Sequence, residues 1–204
     1  MDRRASIPIL AGIIILVVCI WRVATNKDQD YADQVAAAVM KRAAPGFEAR
    51  DADNHLLRLG AFLGRHKIIV LFFNGDSGPE VDDQELMRER DLIRLRDLVR
   101  LRERYAKLQS HDVKVVAISG GLPSQNRKSM GRIGKFPFPL VADIDPLTPN
   151  DILRIHRQWG RIDSQTGKPL TGVFLVDRTG QLPFTVDGPK PIASVDEAID
   201  AALK

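Results

Sequence analysis

Two apolar runs rich in β-branched residues dominate the middle of the chain and indicate its architecture. The first, residues 67–73 (KIIVLFF), ends at Asn74 and Gly75, and the second, residues 113–119 (VKVVAIS), ends at two glycines. Short unbroken runs of this kind are typical of buried central strands. A helical stretch over residues 82–109 separates them, so the pattern predicts a strand–helix–strand unit with parallel strands.

The alternation of strands and helices continues toward the C-terminus. Residues 136–141 (FPFPLV) predict a third strand, which its prolines place at an edge or an end of the sheet. A second helix is expected to run to Trp159, with Thr148 as its N-cap and Pro149 at its first helical position.

A turn and a closing helix complete the predicted pattern. Residues 172–176 and 182–186 flank the sequence DRTG, a spacing that predicts a β-hairpin with Gly180 in a left-handed conformation. Residues 194–203 predict an amphipathic helix with Ser194 as its N-cap.

The N-terminal end of the chain carries a separate apolar segment. Residues 5–21 contain no charged residue and would form a helix of roughly 25 Å, the short end of a membrane span. Two arginines precede this run, and Trp21 and Arg22 end it. We therefore expect a retained signal-anchor with a cytoplasmic N-terminus and an extracytoplasmic folded domain. The alternatives are a cleaved signal peptide and a lipoprotein signal at Cys19.

The predicted organisation has four parts. They are an N-terminal tail (1–4), a transmembrane signal-anchor (5–24), a juxtamembrane spacer (25–43) and a folded domain (44–204). Within the spacer, residues 31–40 are expected to form a helix. The chain of 204 residues is 44% hydrophobic, which suits one domain with an appendage. The localisation expected from this pattern is a single-pass membrane protein.

Composition excludes several kinds of chemistry. The chain has one cysteine, Cys19, which excludes an intrachain disulfide, a CxxC redox pair and a cysteine-based zinc site. The four histidines lack metal-ligand spacing, so neither a metal site nor a cofactor is expected. A net charge of +4 and 6% aromatic residues do not suggest nucleic acid as a partner.

The predicted elements occur in the order of a thioredoxin fold, and the chain resembles one branch of that fold, the peroxiredoxin or redoxin family of the AhpC/TSA type. The resemblance spans about residues 44–187. It rests on the two central strands and on three further segments, APGF (44–47) with Asp51, FPFPLVAD (136–143) and GVFLVD (172–177) followed by Gly180. It implies a three-layer α/β domain with a central mixed sheet and a thiol-dependent antioxidant activity.

The resemblance also implies where a catalytic site should lie. Such a peroxiredoxin carries P-x-x-x-T-x-x-C after its first central strand, and the next helix stabilises the cysteine thiolate. An arginine three residues before the Phe of the late strand polarises the peroxide. Aligned directly after Phe73, this chain has Asn74 at the proline and Gly78 at the threonine. Val81 stands at the cysteine and Thr171 at the arginine, so all four positions are replaced.

A different alignment does not restore this site. A slip of one residue places Gly75, Pro79 and Asp82 at the first three positions, and the single cysteine of the chain precedes the domain. The acidic residues at this helix start would raise the pKa of a neighbouring thiol. We interpret them as a well-capped helix N-terminus. A cation site of Asp76, Asp82 and Asp83 is a weaker alternative, because the spacing lacks the regular ligands of an EF-hand loop.

The predicted helix over residues 82–109 contains a six-residue near-duplication, RDLIRL followed by RDLVRL. One interpretation is a solvated helix whose arginine stems cover apolar surface. The other is a ridge that binds a protein partner or anionic lipid headgroups. The residues of this candidate surface are Arg88, Arg94, Arg96, Arg100 and Arg104. A six-residue period drifts around a helix, so some leucines are expected to be exposed, which favours a protein partner.

Two functions of different classes fit these observations. The first is a membrane-anchored redoxin-like domain without thiol peroxidase activity that acts as a binding or assembly module. A homodimer is compatible with this function. The second is a thiol-dependent oxidoreductase of the peroxiredoxin class, as the resemblance implies. The second needs a nucleophile that the sequence does not offer. A cation-binding domain is the weakest alternative.

Overall fold

The computed structural model describes residues 40–53, 55–75, 83–144, 152–185 and 188–204. Its strands are β1 (Met40–Ala43), β2 (Glu48–Arg50), β3 (Leu56–Arg58), β4 (Lys67–Phe73), β5 (Val113–Ser119), β6 (Leu140–Ala142), β7 (Gly172–Val176), β8 (Gln181–Thr185) and β9 (Gly188–Pro189). Its α-helices are α1 (Gln84–Arg94), α2 (Arg96–Ser110), α3 (Pro123–Ile133), α4 (Arg154–Gln158) and α5 (Val195–Ala202). A short 3-10 helix covers Leu59–Ala61.

Four strands form the central sheet in the order β6-β5-β4-β7. The first three run parallel, and β7 runs antiparallel to β4. Residues 68–73 of β4 are all buried, because helices or loops cover both faces of the sheet. This double burial explains why the two central strands appear in the sequence as unbroken apolar runs. The predicted parallel unit of strand, helix and strand is therefore confirmed.

The central sheet separates two apolar cores. On one face, alternate residues of β4 such as Ile69 and Leu71 pack with α2, α3 and α5. On the other face, Val70 and Phe72 pack with α4 and with the small β2–β3 sheet. The result is a mixed sheet between two covering layers, as the sequence predicts.

The predicted β-hairpin is wrong in its pairing, although its turn is correct. Gly180 has a φ of +80° and donates its N–H to the carbonyl of Asp177 at 2.9 Å. The following strand β8, however, lies in a second sheet of order β1-β8-β9 among the described strands. Both edges of β8 are occupied, by β1 in a continuous antiparallel register and by β9, so β7 has no free edge to pair with.

The folded unit begins at Met40 rather than at residue 44. Residues 40–43, assigned from sequence to the spacer, form β1, and Lys41 of this strand makes an ion pair of 3.1 Å with Asp177. The helix predicted over residues 31–40 lies outside the described residues except for Met40, which is in a strand. The predicted membrane span also lies outside them. In the described part of the chain, no helix combines the length and the apolar character that a membrane crossing requires.

The helical stretch predicted over residues 82–109 is confirmed, and the structure divides it at Leu95 into α1 and α2. The hydrogen-bond ladder still passes through this point, since Leu95 donates to Asp91 and Val99 donates to Leu95. Six residues advance a helix by about 600°, so the two copies of the near-duplication cannot present the same face. The break separates α1, which packs on α3, from α2, which packs on the sheet and α5.

Two other predicted elements are shorter in the structure. Only Leu140–Ala142 of the proline-containing segment forms a strand, because Pro137 and Pro139 lack the N–H that a ladder needs. The helix that ends at Trp159 begins at Arg154, and its predicted N-cap Thr148 lies outside the described residues. The last helix is confirmed with Ser194 as its N-cap.

Candidate functional site

The carboxyl ends of β4 and β5 approach each other very closely. A Cβ added to Gly75 would lie 1.8 Å from the Oγ of Ser119 and 2.8 Å from the backbone nitrogen of Gly121. A Cβ added to Gly121 would lie 2.6 Å from the carbonyl carbon of Gly75. Both positions therefore require glycine, and the contact fixes where the chain leaves β4.

A buried hydrogen-bond network supports this crossing. The Oγ of Ser119 donates to the Oδ1 of Asn126 at 3.0 Å and accepts the N–H of Gly121 at 2.9 Å. Ser119 and Asn126 are both buried, and in the described structure the Nδ2 of Asn126 has no hydrogen-bond partner. Ser119 is thus committed to holding the loop after β5. The network contains no base that could activate this hydroxyl.

A buried acid–imidazole pair lies at the end of the neighbouring strand β6. The Nδ1 of His156 lies 2.7 Å from the Oδ2 of Asp143, and both residues are almost fully buried. The same carboxylate accepts the backbone N–H groups of Ile155 and His156, so it caps α4. Asp143 therefore joins the end of β6 to the start of α4 and fixes the orientation of the imidazole ring.

The imidazole of His156 packs against an aromatic cluster through Phe72. Its centroid lies 4.9 Å from that of Phe72, which in turn contacts Trp159 and Phe174. The Nε2 of His156 is directed toward Gly120, where an added Cβ would lie 3.6 Å from it. With only 1% of its surface exposed, His156 acts in packing and orientation rather than in contact with a substrate. This pair is not evident from the sequence, because its members lie 13 positions apart and on different elements.

Arg161 lies against the first residues of β7, at the same carboxyl edge. Its Nη2 donates to the carbonyl oxygen of Thr171 at 2.7 Å, and its Nε lies 3.3 Å from where a Cβ on Gly172 would be. This Nε is buried without a hydrogen-bond partner, and Arg161 forms no ion pair within the described residues. Burial lowers the pKa of Arg161 below its ordinary value, because a desolvated guanidinium is less stable in its charged form.

The structure describes two of the four positions that correspond to the family site, Asn74 and Thr171. Asn74 lies directly after β4, and Thr171 lies directly before β7, with no cationic side chain of its own. Gly78 and Val81 lie outside the described residues, as do Pro79 and Asp82 of the alternative alignment. Arg161 nevertheless brings a guanidinium to the backbone of Thr171. The position of Arg161 beside Thr171 is not evident from the sequence. The one sequence signal for it is Gly172, which has no side chain and so leaves room for the guanidinium.

The acidic helix start is a capping arrangement at Asp83. The Oδ1 of Asp83 accepts the N–H groups of Glu85 and Leu86 at 2.9 and 3.0 Å, as expected of an N-cap. The other two residues of the weaker cation-site alternative, Asp76 and Asp82, lie outside the described residues. No group of metal-ligating side chains is found within the described ranges.

The residues of the candidate arginine surface are divided between two helices. Arg88 and Arg94 belong to α1, whereas Arg96, Arg100 and Arg104 belong to α2 beyond the break. Arg100 makes a two-point ion pair with Asp196 of α5, at 2.8 and 3.3 Å. A groove with a volume of about 390 Å³ follows this contact. It is lined by Arg100, Arg104, Lys107, Asp196, Ile199, Asp200 and Leu203.

The pairing across this groove stabilises the charged form of both partners. The hydrogen bond from Arg100 lowers the pKa of Asp196, and the positive charges of Arg104 and Arg96 act in the same direction. The hydrogen bond to Asp196 in turn raises the pKa of Arg100. Arg100 of α2 therefore helps to attach α5 to the domain.

The order of the central sheet and the two cores that flank it define a thioredoxin-like fold. No protein-family model matches the chain. Among curated proteins, alkyl hydroperoxide reductase E of Mycobacterium bovis and that of Mycobacterium tuberculosis are each 26% identical to it over 145 residues. The match covers 69% of this chain and 80% of each relative.

Solved structures agree with this assignment of the fold. The mitochondrial 2-Cys peroxiredoxin from Plasmodium falciparum matches 79% of this chain and 90% of its own, with a TM-score of 0.51 and 17% identity. The reduced 2-Cys peroxiredoxin from Plasmodium vivax has a TM-score of 0.54 and 17% identity, and the match covers 79% of this chain and 78% of that one. Peroxidoxin BcpB from Mycobacterium tuberculosis has a TM-score of 0.50 and 16% identity, over 81% of this chain and 94% of its own. The resemblance to the peroxiredoxin or redoxin family that the sequence indicates is confirmed.

Proposed function

We propose that this protein is a membrane-tethered, peroxiredoxin-like binding or assembly module without thiol peroxidase activity. The observation that carries the proposal is the position of the single cysteine. Cys19 lies in the apolar N-terminal run, before the folded unit that begins at Met40. Residues 40–204 contain no cysteine. A thiol peroxidase needs a thiolate held at a defined site, because the thiolate is the nucleophile that attacks the peroxide.

The charges around the family site support the loss of thiol chemistry. In the sequence, Asp82 and Asp83 precede the first residue of α1, and Glu85 lies in its first turn, near the family position where a thiolate would have to form. Neighbouring carboxylates disfavour a second negative charge, so they raise the pKa of a thiol. The same acids suit a helix N-terminus, where they stabilise α1.

A thiol-dependent oxidoreductase remains the second candidate function. It is favoured by the names of the similar proteins, which are a hydroperoxide reductase and peroxiredoxins, and by the guanidinium of Arg161 beside Thr171. This candidate requires a nucleophile from outside the folded unit, and Cys19 is the only thiol that the chain could supply.

Peroxide consumption by the full chain in detergent, with a dithiol as reductant, separates the two functions. We expect no turnover by the natural chain or by its Cys19→Ser variant. Turnover by the Cys19→Ser protein would overturn the proposal, because no thiol remains. Turnover that disappears with Cys19→Ser would support the oxidoreductase instead.

Cysteines introduced at the family position extend this experiment. Val81→Cys and Asp82→Cys, each on the Cys19→Ser background, would be compared with Arg65→Cys, which adds a thiol at an exposed residue before β4. Activity confined to one of the first two variants would identify the alignment and show that the surrounding fold still supports the chemistry. Equal activity of all three would indicate only the general reactivity of thiols.

The tether and the partner surface are further parts of the proposal. The apolar run of residues 5–21 supports a single span with the folded unit outside the cytoplasm, which protease accessibility from each side of the membrane would test. The exposed Ile93 and the exposed Arg88, both on α1, support a protein partner on this helix. Crosslinking from position 93 in intact membranes would test the partner, and a product formed only with a second copy would indicate a homodimer.

A further inference from the structure

We propose that Arg161 forms a binding site for a small oxyanion, a carboxylate or a phosphate group, at the carboxyl edge of the central sheet. The site goes beyond the proposed function, because it depends neither on the membrane tether nor on the absence of thiol chemistry. It is built entirely from residues of α4, β7 and the segment between them.

The first observation is an unpaired, partly buried cation. A guanidinium has five N–H donors, and one hydrogen bond from Nη2 of Arg161, to Thr171, is present in the described structure. The Nε is buried without an acceptor, and Arg161 makes no ion pair with a described carboxylate. A charge removed from water is costly unless an opposite charge compensates it. An anionic ligand supplies that compensation.

The second observation is the rigid support of this arginine. Its backbone N–H donates to the carbonyl of His156 at 2.7 Å, and its carbonyl accepts the N–H of Leu170 at 2.9 Å. With the bond to Thr171, three hydrogen bonds hold the residue at both ends. A group held in place before binding loses little conformational entropy when a ligand arrives.

The third observation is the close packing of the guanidinium against Gly172. Gly172 has no side chain, and a Cβ there would lie 3.3 Å from the Nε and 3.4 Å from the central carbon of the guanidinium. Any larger residue at position 172 would press on this group and displace it. The next residue toward the N-terminus, Thr171, is exposed, so the edge of the site meets solvent.

The nearest acid in the sequence does not neutralise this cation. The Oδ1 of Asp163 accepts the N–H groups of Gln165 and Thr166 at 2.8 and 3.0 Å, which closes its own turn. These two hydrogen bonds lower the pKa of Asp163, so its charge belongs to that turn. The remaining donors of Arg161 form a planar fork that matches the oxygens of a carboxylate or a phosphate.

Thermal unfolding of the full chain in detergent, in the presence of inorganic phosphate or acetate, tests the site. Chloride would keep the ionic strength constant. An anion at 100 times its Kd should raise the unfolding midpoint of the natural chain by about 5–10 °C. Arg161→Gln should abolish the rise, and Arg161→Lys, which keeps the charge but loses the fork, should reduce it.

A matched control and a direct signal make the outcome decisive. Arg178→Gln removes an exposed arginine from the turn after β7, at the opposite edge of the sheet, and should leave the rise unchanged. An equal rise in Arg161→Gln, or no rise with either anion, would overturn the proposal. If Arg161→Gln does not fold, NMR of the natural chain provides the test. The Nε–H resonance of Arg161 is identified as the one that is missing from the spectrum of Arg161→Lys. That resonance should shift in a saturable manner with phosphate or acetate, and a constant position would also overturn the proposal.

Discussion

Gly75 and Ser119 lie so close that no side chain fits between them. The Oγ of Ser119 occupies a position 1.8 Å from where a Cβ of Gly75 would be, and this oxygen is held by Asn126 and by the backbone of Gly121. The contact joins the ends of the two central parallel strands. It therefore determines the starting point of the chain segment that leads to α1.

Gly75→Ala should destabilise the protein by about 2–3 kcal/mol, because the backbone of Gly121 cannot move away from the new methyl group as a side chain could. Urea unfolding of the variant and of the natural chain would measure the difference. Gly60→Ala is the matched control, since a Cβ there meets nothing within 4 Å, and it should change stability by less than about 0.5 kcal/mol. Equal stability of Gly75→Ala and the natural chain would contradict the described crossing.

The near-duplication places a leucine at the same position of each copy, Leu92 and Leu98, so the effect of burial on stability can be compared for one residue type. Leu98 of α2 is fully buried, whereas Leu92 of α1 is 37% exposed. Leu98→Ala should cost about 3 kcal/mol because it leaves a cavity in the core, and Leu92→Ala should cost less than about 1 kcal/mol. Chemical unfolding of both variants provides the comparison. Similar costs would contradict the difference in burial between Leu92 and Leu98.

Asp143→Ala should cost about 3 kcal/mol or more of unfolding free energy. The substitution leaves the N–H groups of Ile155 and His156 and the imidazole Nδ1 without their acceptor in a buried position. His156→Phe should cost less, because it replaces the ring by one of similar shape and leaves the two backbone hydrogen bonds intact. Asp53→Ala, at an exposed acid, serves as the control in the same unfolding series and should be nearly neutral.

The ion pair between Arg100 and Asp196 should make stability depend on pH in the acid range. The pKa of Asp196 is lowered in the folded state by the hydrogen bond from Arg100, so its contribution is present above the unfolded value of about 3.9. It is lost as the pH falls through the lower folded value, because both states then bind the proton. Asp196→Asn should lower the unfolding midpoint by about 3 °C at most at pH 6, and the difference from the natural chain should vanish at low pH.

A salt series and a neighbouring acid control this pH experiment. At 1 M salt the Debye length is about 3 Å, so the effect of Asp196→Asn should shrink because the pair is exposed. Asp200→Asn removes another acid from the same helix and should show a smaller dependence on pH. A difference for Asp196→Asn that persists below the folded pKa would instead indicate a structural effect of the substitution.

The central part of the fold could be predicted because local pattern and final environment coincide there. The runs of β4 and β5 are apolar at every position because both faces of the sheet are covered, and Ser194 is an N-cap whose hydroxyl acts within its own turn. The prediction failed where partners come from distant parts of the chain. The two apolar runs on either side of the DRTG turn suggested a hairpin, yet β1 pairs with β8 across more than 130 residues.

The sequence by itself determined the alternation of strands and helices, the resemblance to peroxiredoxins and the absence of a cysteine from residues 40–204, because each of these follows from residue type and local spacing. Only the tertiary structure decided which arginine stands beside Thr171 and which leucines of the near-duplication are buried. Arg161 reaches that position through a turn of the backbone, and Leu95 interrupts a helix whose local pattern is continuous. Such contacts depend on how separate elements pack, and local residue patterns do not carry that information.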